Sequence, residues 1–297
     1  MGQVSASTGL SRQYAKFCDL SDFEDGELVP LISEITPDRP AENPHRKAWE
    51  FAMGALFLRD VGCLDERAAI LDVGAGHEEM AFWLAQRAGR VAAIDIYGRG
   101  AFGDREAAGS MLTDPAKHAP YPYPEERLEV LDMDATRLEF PDESFDAVVS
   151  FSSIEHFGSP RRIASAAREI GRVLRPGGHA FLVTELFVKQ HPIDHTPILF
   201  AVRLLTLGRR CGLATPRWGP TEVFNLRQLR NWLLKPSGLE LLQPLELDFN
   251  EAGGTNVHAI GSDGTATSST GRPFPHILLR GHLSSFTSFA LPLVKPS

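Results

Sequence analysis

The chain has 297 residues, 43% of them apolar and 23% charged, with a formal net charge of -8 and three cysteines. That length allows one large α/β domain with additions or two small domains, and the composition excludes fibrous, disordered and membrane-embedded classes. An acidic chain repels phosphate, which argues against a nucleic-acid partner; Cys18, Cys63 and Cys211 lie far apart without the spacing of a zinc or redox site, which fits a reducing compartment.

Residues 1–45 carry scattered prolines and acids with no sustained period, so they are predicted as a tail or loosely packed cap, with 46–297 as a single domain. Met1-Gly2 is followed by Ala6 where an acylation signal needs Ser or Thr, and the charged-then-apolar order of a secretory leader is missing. The longest apolar run, near Ile198 to Leu207, contains Arg203 and is too short for a bilayer, so it reads as a soluble helix. No transmembrane segment and a cytoplasmic location are expected.

From Pro44 the pattern turns helical: Ala48, Phe51, Ala52, Ala55, Leu56 and Leu58 share a face, and the helix ends near Gly62. Ala68–Val73 reads as a buried strand, Glu78–Ala88 as a helix, and Val91–Ile96 as a second buried strand, which makes a βαβ unit. Leu128–Leu131 and Phe145–Phe151 follow as strands, the latter after the turn Pro141-Asp142-Glu143-Ser144. A helix beginning at Pro160 is stopped by Pro176-Gly177-Gly178, and Ala180–Leu186 supplies a fifth strand. This alternation implies a parallel sheet covered on both faces, with ligands at the carboxyl ends of its strands. Beyond it, Leu226–Leu234 is predicted helical, Leu239–Leu247 extended, and Ile277–Leu279 with Phe286–Val294 a final antiparallel hairpin. Ala252–Arg272, rich in Gly, Ser and Thr, is too long for a passive connection.

The first strand-to-helix turn, Gly74-Ala75-Gly76, lacks bulky side chains and lets backbone touch a ligand. Asp95 ends the second strand, where a carboxylate accepts hydrogen bonds from both ribose hydroxyls of an adenosine. A dinucleotide would bring a pyrophosphate to the helix start, yet this turn continues His77-Glu78-Glu79, with Glu79 in place of the third small residue. S-adenosylmethionine carries a sulfonium, an ammonium and one carboxylate, so acidic neighbours suit it. Glu78 and Glu79 also serve simply to stabilise a positive helix end.

The segments Ile70–Gly76 (ILDVGAG), Asp95, Met133–Ala135 (MDA), Phe145–Phe157 (FDAVVSFSSIEHF) and Arg172–Gly178 (RVLRPGG) resemble the class I S-adenosylmethionine-dependent methyltransferases, with a type 11-like core, over residues 46 to 186. The resemblance implies a Rossmann-like, doubly wound α/β fold: a mostly parallel seven-stranded sheet with an antiparallel C-terminal hairpin. It implies that Asp95 holds the ribose, that Asp134 and Ala135 meet the adenine, and that Gly74 to Gly76 lie under the methionine moiety. Ile96 and Ser150 complete the expected cofactor contacts, the helix around Lys47 to Glu50 packs over the cofactor, and Glu78 replaces the usual third glycine. Segments 98–126 and 248–274 are the expected acceptor-side variations.

His156, just past the fourth strand, is the candidate general base, with Glu155 beside it as the second candidate catalytic residue. An imidazole of ordinary pKa, about 6.5, is mostly neutral near pH 7 and can take the proton of an attacking hydroxyl; a histidine here also serves structural or cofactor-adjacent roles. Some relatives hold a divalent metal through Glu-x-x-Glu-His plus a distant His, but Ser152 occupies the first position, so no metal ligand is assigned. Glu185, His191, Asp194 and His195 form the other set that could reach magnesium or a polar acceptor. The expected activity is O-methylation of a small polar acceptor, preferably a sugar or oligosaccharide such as a mannoside. The saccharide preference comes from a resemblance of the Trp49-Glu50 helix and the Thr287-Ser288 strand to saccharide-pathway methyltransferases. A natural product or phenol is the nearest alternative, and a nicotinamide oxidoreductase or a non-catalytic cofactor-binding protein are the readings from other classes. The Asp/Asn-Pro-Pro-aromatic signature of nucleic-acid amino methylation is missing after the fourth strand. Oligomeric state is not legible.

Overall fold

Apolar runs bounded by turns become strands, most of them buried on both faces, and five strands build a parallel sheet whose edge strand, Leu128–Asp132, is only partly buried. In the computed structural model, which describes residues 9–99, 103–190, 223–250, 258–260, 266–268, 271–281 and 284–297, these are β1 (Ala69–Val73), β2 (Arg90–Asp95), β3 (Leu128–Asp132), β4 (Phe145–Phe151) and β5 (Leu174–Lys189). Shorter strands follow: β6 (Glu240–Leu241), β7 (His258–Ile260), β8 (Ala266–Ser268) and β9 (Leu279–Gly281), then the long β10 (Ser284–Val294). The sheet order is β3-β2-β1-β4-β5-β10-β9-β7-β8, with β6 also on β10. The doubly wound, mostly parallel design is the expected one, and β9 and β10 form the expected antiparallel hairpin. Among the described residues the sheet has ten strands where seven were expected, because short pieces extend the antiparallel edge.

β1 pairs in parallel with both β2 and β4. The chain therefore winds outward in opposite directions from β1, and the carboxyl ends of β1 and β4 flank the crevice where open α/β sheets bind ligands. Ser159 caps α4 (Pro160–Val173), whose Ile163, Ala166, Ala167, Ile170 and Val173 form one buried stripe. The helix predicted at Glu78–Ala88 is shorter, α3 spanning Glu79–Ala85. Of the extended stretch predicted at Leu239–Leu247 only β6 pairs as a strand; beyond it the backbone makes single bonds, Leu242 N–H to Pro292 O and Glu246 N–H to Ala15 O.

Helix α2 (Arg46–Asp60) buries every residue from Ala48 to Leu58. A helix apolar all round needs cover on both sides: one side lies on the sheet, and the other is closed by residues 9–45. From that stretch, Tyr14, Cys18 and the Leu28, Ile32 and Ile35 face of α1 (Leu28–Ile35) join the core. Tyr14 packs edge-on to Phe57, 5.4 Å between ring centres, and donates its hydroxyl to Asp60 at 2.6 Å. Short pieces make these contacts, so the sequence shows no period there. The run at Ile198–Leu207, Cys211 and most of Ala252–Arg272 lie outside the described residues.

His45 starts α2 by accepting the Lys47 N–H at Nδ1, 3.1 Å. Its ring stacks on His276, centres 4.3 Å apart and planes 7° from parallel, while the two backbones bridge through Arg46 N–H to His276 O and His276 N–H to Pro44 O. Burial, then the positive charge of His276, Arg46, Arg39 and Lys47, drives the His45 pKa down to about 2. The unfolded chain accepts a proton near pH 6.5 that the folded chain refuses, so this stability is complete above about pH 6.5 and declines as pH falls below it. His45→Asn keeps a capping oxygen and removes the titration. Between pH 6.5 and 5, wild type should lose up to about 1.4 kcal/mol per pH unit more than His45→Asn, read by urea unfolding at several pH values; equal slopes would refute the linkage.

Candidate active site

The β1–α3 turn is closed by conformations only glycine holds easily. Gly74 has φ +71° and Gly76 φ +55°; a Cβ at Gly74 would stand 2.5 Å from the Ser153 Cβ, and one at Gly76 2.4 Å from the Glu106 carbonyl oxygen. The N–H groups of Gly74 and Ala75 donate to Ile94 O, tying the turn to β2. At the end of β2, the Asp95 carboxylate accepts from Gly76 N–H at 3.0 Å and from Ile96 N–H at 2.7 Å, and burial pushes its pKa up against those two bonds. Met133 N–H donates to Asp95 O, bringing the loop of Asp134 and Ala135 alongside. The Asp134 side chain holds Thr136 N–H and hydroxyl and, at 2.8 Å, Arg162. Ser150 is fully enclosed below the turn, its hydroxyl donating to Val73 O at 2.8 Å.

Asp72 and Tyr97 each bury an oxygen with no hydrogen-bond partner among the described residues. Burial, followed by the charge of Glu78, raises the Asp72 pKa to about 8. Buried polar atoms left unpaired are costly, and an acid-lined cradle of bare backbone suits a sulfonium and an ammonium. The residues therefore fit S-adenosylmethionine. Glu78 and Glu79 sit where the sequence puts them, but cations offset both. Lys47 Nζ is 3.1 Å from Glu78, and Arg39 3.4 Å from Glu79. Their repulsion of a pyrophosphate is thus weaker than the bare sequence suggests. Burial raises the Glu78 pKa to about 7, with Lys47 opposing.

On the β4 and β5 side lies an ion cluster that the sequence does not reveal as a unit. Glu50, wholly buried in α2, accepts at Oε1 from Arg46 at 3.2 Å, from the Ser152 hydroxyl at 2.8 Å and from the Ser288 hydroxyl. Arg46 also meets Glu185 at 2.6 Å and Ser288 at 3.0 Å, and Lys47 donates to Phe151 O at 2.7 Å. Glu155 is enclosed, its carboxylate held by the Thr184 hydroxyl and the Glu185 N–H, each at 3.0 Å. Burial pushes the pKa of both Glu155 and Glu185 up; the hydrogen bonds from Glu185 N–H and Thr184 oppose it at Glu155, while at Glu185 Arg46 opposes it and the charge of Glu155 adds to it. Burial lowers the pKa of His156, Glu185 partly opposing, which leaves a neutral imidazole at pH 7. Among the described residues no group of three or more His, Cys, Asp or Glu is arranged to hold a metal. Glu185 is engaged by Arg46, and His191, Asp194 and His195 lie outside the described residues.

Residues 71–182 match the family described as a methyltransferase domain. With the switch-point crevice and its acid-capped glycine turn, this stretch resembles the class I S-adenosylmethionine-dependent methyltransferase domains. The chain is similar to the ubiquinone/menaquinone biosynthesis C-methyltransferase UbiE of Rhizobium meliloti (strain 1021), 29% identical over 201 residues, 64% of this chain and 70% of that protein. It is 32% identical over 111 residues to the phosphatidylethanolamine N-methyltransferase of Cereibacter sphaeroides, 37% of this chain and 52% of that one, so it spans about half the length of that relative. Among solved structures, the [4+2]-cyclase SpnF shares the fold with a TM-score of 0.50 and 19% identity, covering 96% of this chain and 99% of that one. No helix among the described residues is long and apolar enough to cross a membrane.

Proposed function

We propose that this methyltransferase acts on a hydroxyl oxygen of a small polar acceptor, with a sugar or oligosaccharide as the preferred class, and that His156 is the general base. The observation that carries the reading is a histidine past the end of β4 whose burial keeps it neutral, within reach of the charges of Glu185 and Arg46, which pair with each other. Asp95 would hold the ribose, with Ile96, Asp134 and Ala135 toward the adenine, Gly74 to Gly76 beneath the methionine part, and Ser150 fixing β4 to β1 below them. S-adenosylmethionine supplies an electrophilic methyl carbon on a sulfonium. The chain's own work is to align the acceptor oxygen with that carbon, a proximity effect worth up to about 7–11 kcal/mol, and to accept the hydroxyl proton. Glu155 acts by anchoring the 154–156 turn to β5. Residues 46–297 form the catalytic domain under the cap of 9–45, working in the cytoplasm with Cys18 and Cys63 as free thiols.

The relative named as a C-methyltransferase favours a second reading, in which the same base deprotonates a phenolic ring and carbon takes the methyl group. The test is transfer of labelled methyl from the cofactor to a panel of sugars, phenols, amines and lipids, with and without magnesium, and with the methylated atom located by NMR. Label on a sugar oxygen supports the reading, label on ring carbon selects the second, and label only on an amine overturns both.

A further inference from the structure

Glu185 lies on β5 with its side chain 2% exposed, Oε1 against Arg46 at 2.6 Å and Oε2 buried with no hydrogen-bond partner among the described residues. A carboxylate oxygen in that state costs free energy unless a charge nearby offsets it. The turn carrying His156 is fixed to the same strand, because Glu155 takes the Glu185 N–H and the Thr184 hydroxyl. Residues 156 and 185 are thereby set in one frame.

The charges that act on the His156 ring come from three elements: Glu185 on β5, Arg46 and Lys47 on α2, and Glu106 from the segment over the glycine turn. Arg46 and Lys47 oppose a proton on the ring, and Glu185 is the leading influence in its favour. We propose that Glu185 is the positioning residue for His156, its unpartnered oxygen supplying the counter-charge for the imidazolium formed during methyl transfer. The inference rests on His156 being the base. In the step, the acceptor oxygen bonds to the methyl carbon while the carbon–sulfur bond breaks and its electron pair stays on sulfur. The hydroxyl proton passes to His156 and is later released to water. Glu185 takes no proton from the ring in this step, and its carboxylate, paired with Arg46, lowers the energy of the cationic ring.

The experiment is NMR titration of histidine-labelled full-length protein with S-adenosylhomocysteine bound, the His156 signal assigned by its loss in His156→Gln. Glu185→Gln should lower the His156 pKa by about one unit, as expected for removal of one close opposite charge, and Glu185→Asp should restore most of it. The acidic limb of kcat/KM should shift to lower pH by the same amount. Should Glu185→Gln fail to fold, Glu185→Asp, with the carboxylate drawn back from the ring, should give a smaller shift in the same direction. An unchanged His156 pKa in the folded variants overturns the inference, even where His156→Ala abolishes turnover. If instead His156→Ala turns over normally, the base reading fails and the positioning role falls with it, whatever the titration gives.

Discussion

Glu50→Ala is expected to lower folding stability by about 3–5 kcal/mol, the usual consequence of breaking a buried ion pair by removing one partner. Glu50 is 0% exposed, and its loss leaves Arg46 facing Glu185 alone, Lys47 facing Glu78 alone, and the hydroxyls of Ser152 and Ser288 without their acceptor. Burial already works against the charge on Arg46 and Lys47, and Glu50 is one of the carboxylates that outweigh it at each. Domains of this kind are stable by roughly 5–15 kcal/mol, so the loss is a large fraction of the whole. Urea unfolding of wild type, Glu50→Ala and Glu50→Gln reads it directly. Glu50→Gln keeps one acceptor and should cost less, and the midpoint should move without a change in slope. A loss below about 1 kcal/mol in Glu50→Ala, the scale of an exposed pair, would show that Arg46 and Lys47 reach water unaided.

The same residue joins the two halves of the site. Through Lys47 it touches Glu78 beside the glycine turn, and through Arg46 it touches Glu185 beside the turn of His156. None of this follows from periodicity. Ser288 is 242 residues from Arg46 and 238 from Glu50, and pairing across such separations is set by sheet order. The legible trace is indirect: a glutamate inside a helix that is apolar all round, Thr184-Glu185 inside an apolar strand, and Thr287-Ser288 within β10. Polar groups in such places demand partners, but the sequence does not say which ones. By contrast β1, β2 and β4 lie within one residue of their predicted limits, because continuous apolar runs between turns have few other folds open to them. The Gly74–Gly76 turn and Asp95 are local features of one βαβ unit, so they were legible as well. Residues 9–45 were not: their buried side chains come from a short helix and single residues such as Tyr14 and Cys18, which leave no repeat to read.

Removal of the imidazole in His156→Ala should reduce kcat by about 10²–10⁴, the range for a positioned general base, while affinity for S-adenosylhomocysteine stays within about twofold. The proposed cofactor-side residues, Gly74 to Gly76, Asp95 and Asp134, are held by bonds to Ile94, Ile96, Thr136 and Arg162 that do not pass through His156, so truncating the ring leaves them in place. A residual rate should persist, because alignment of acceptor and methyl carbon survives without the base. The pH dependence separates a base from a structural ring. Burial keeps the His156 pKa below its ordinary value, so the wild-type rate should rise with pH through a limb lying below about pH 6.5 and level off above it. In His156→Ala that limb should vanish, and added imidazole should restore part of the rate in proportion to its neutral form. A variant that kept both the limb and the wild-type kcat would assign proton removal to another group. A variant that lost cofactor affinity together with turnover would make His156 a support for the β4 turn and not a base.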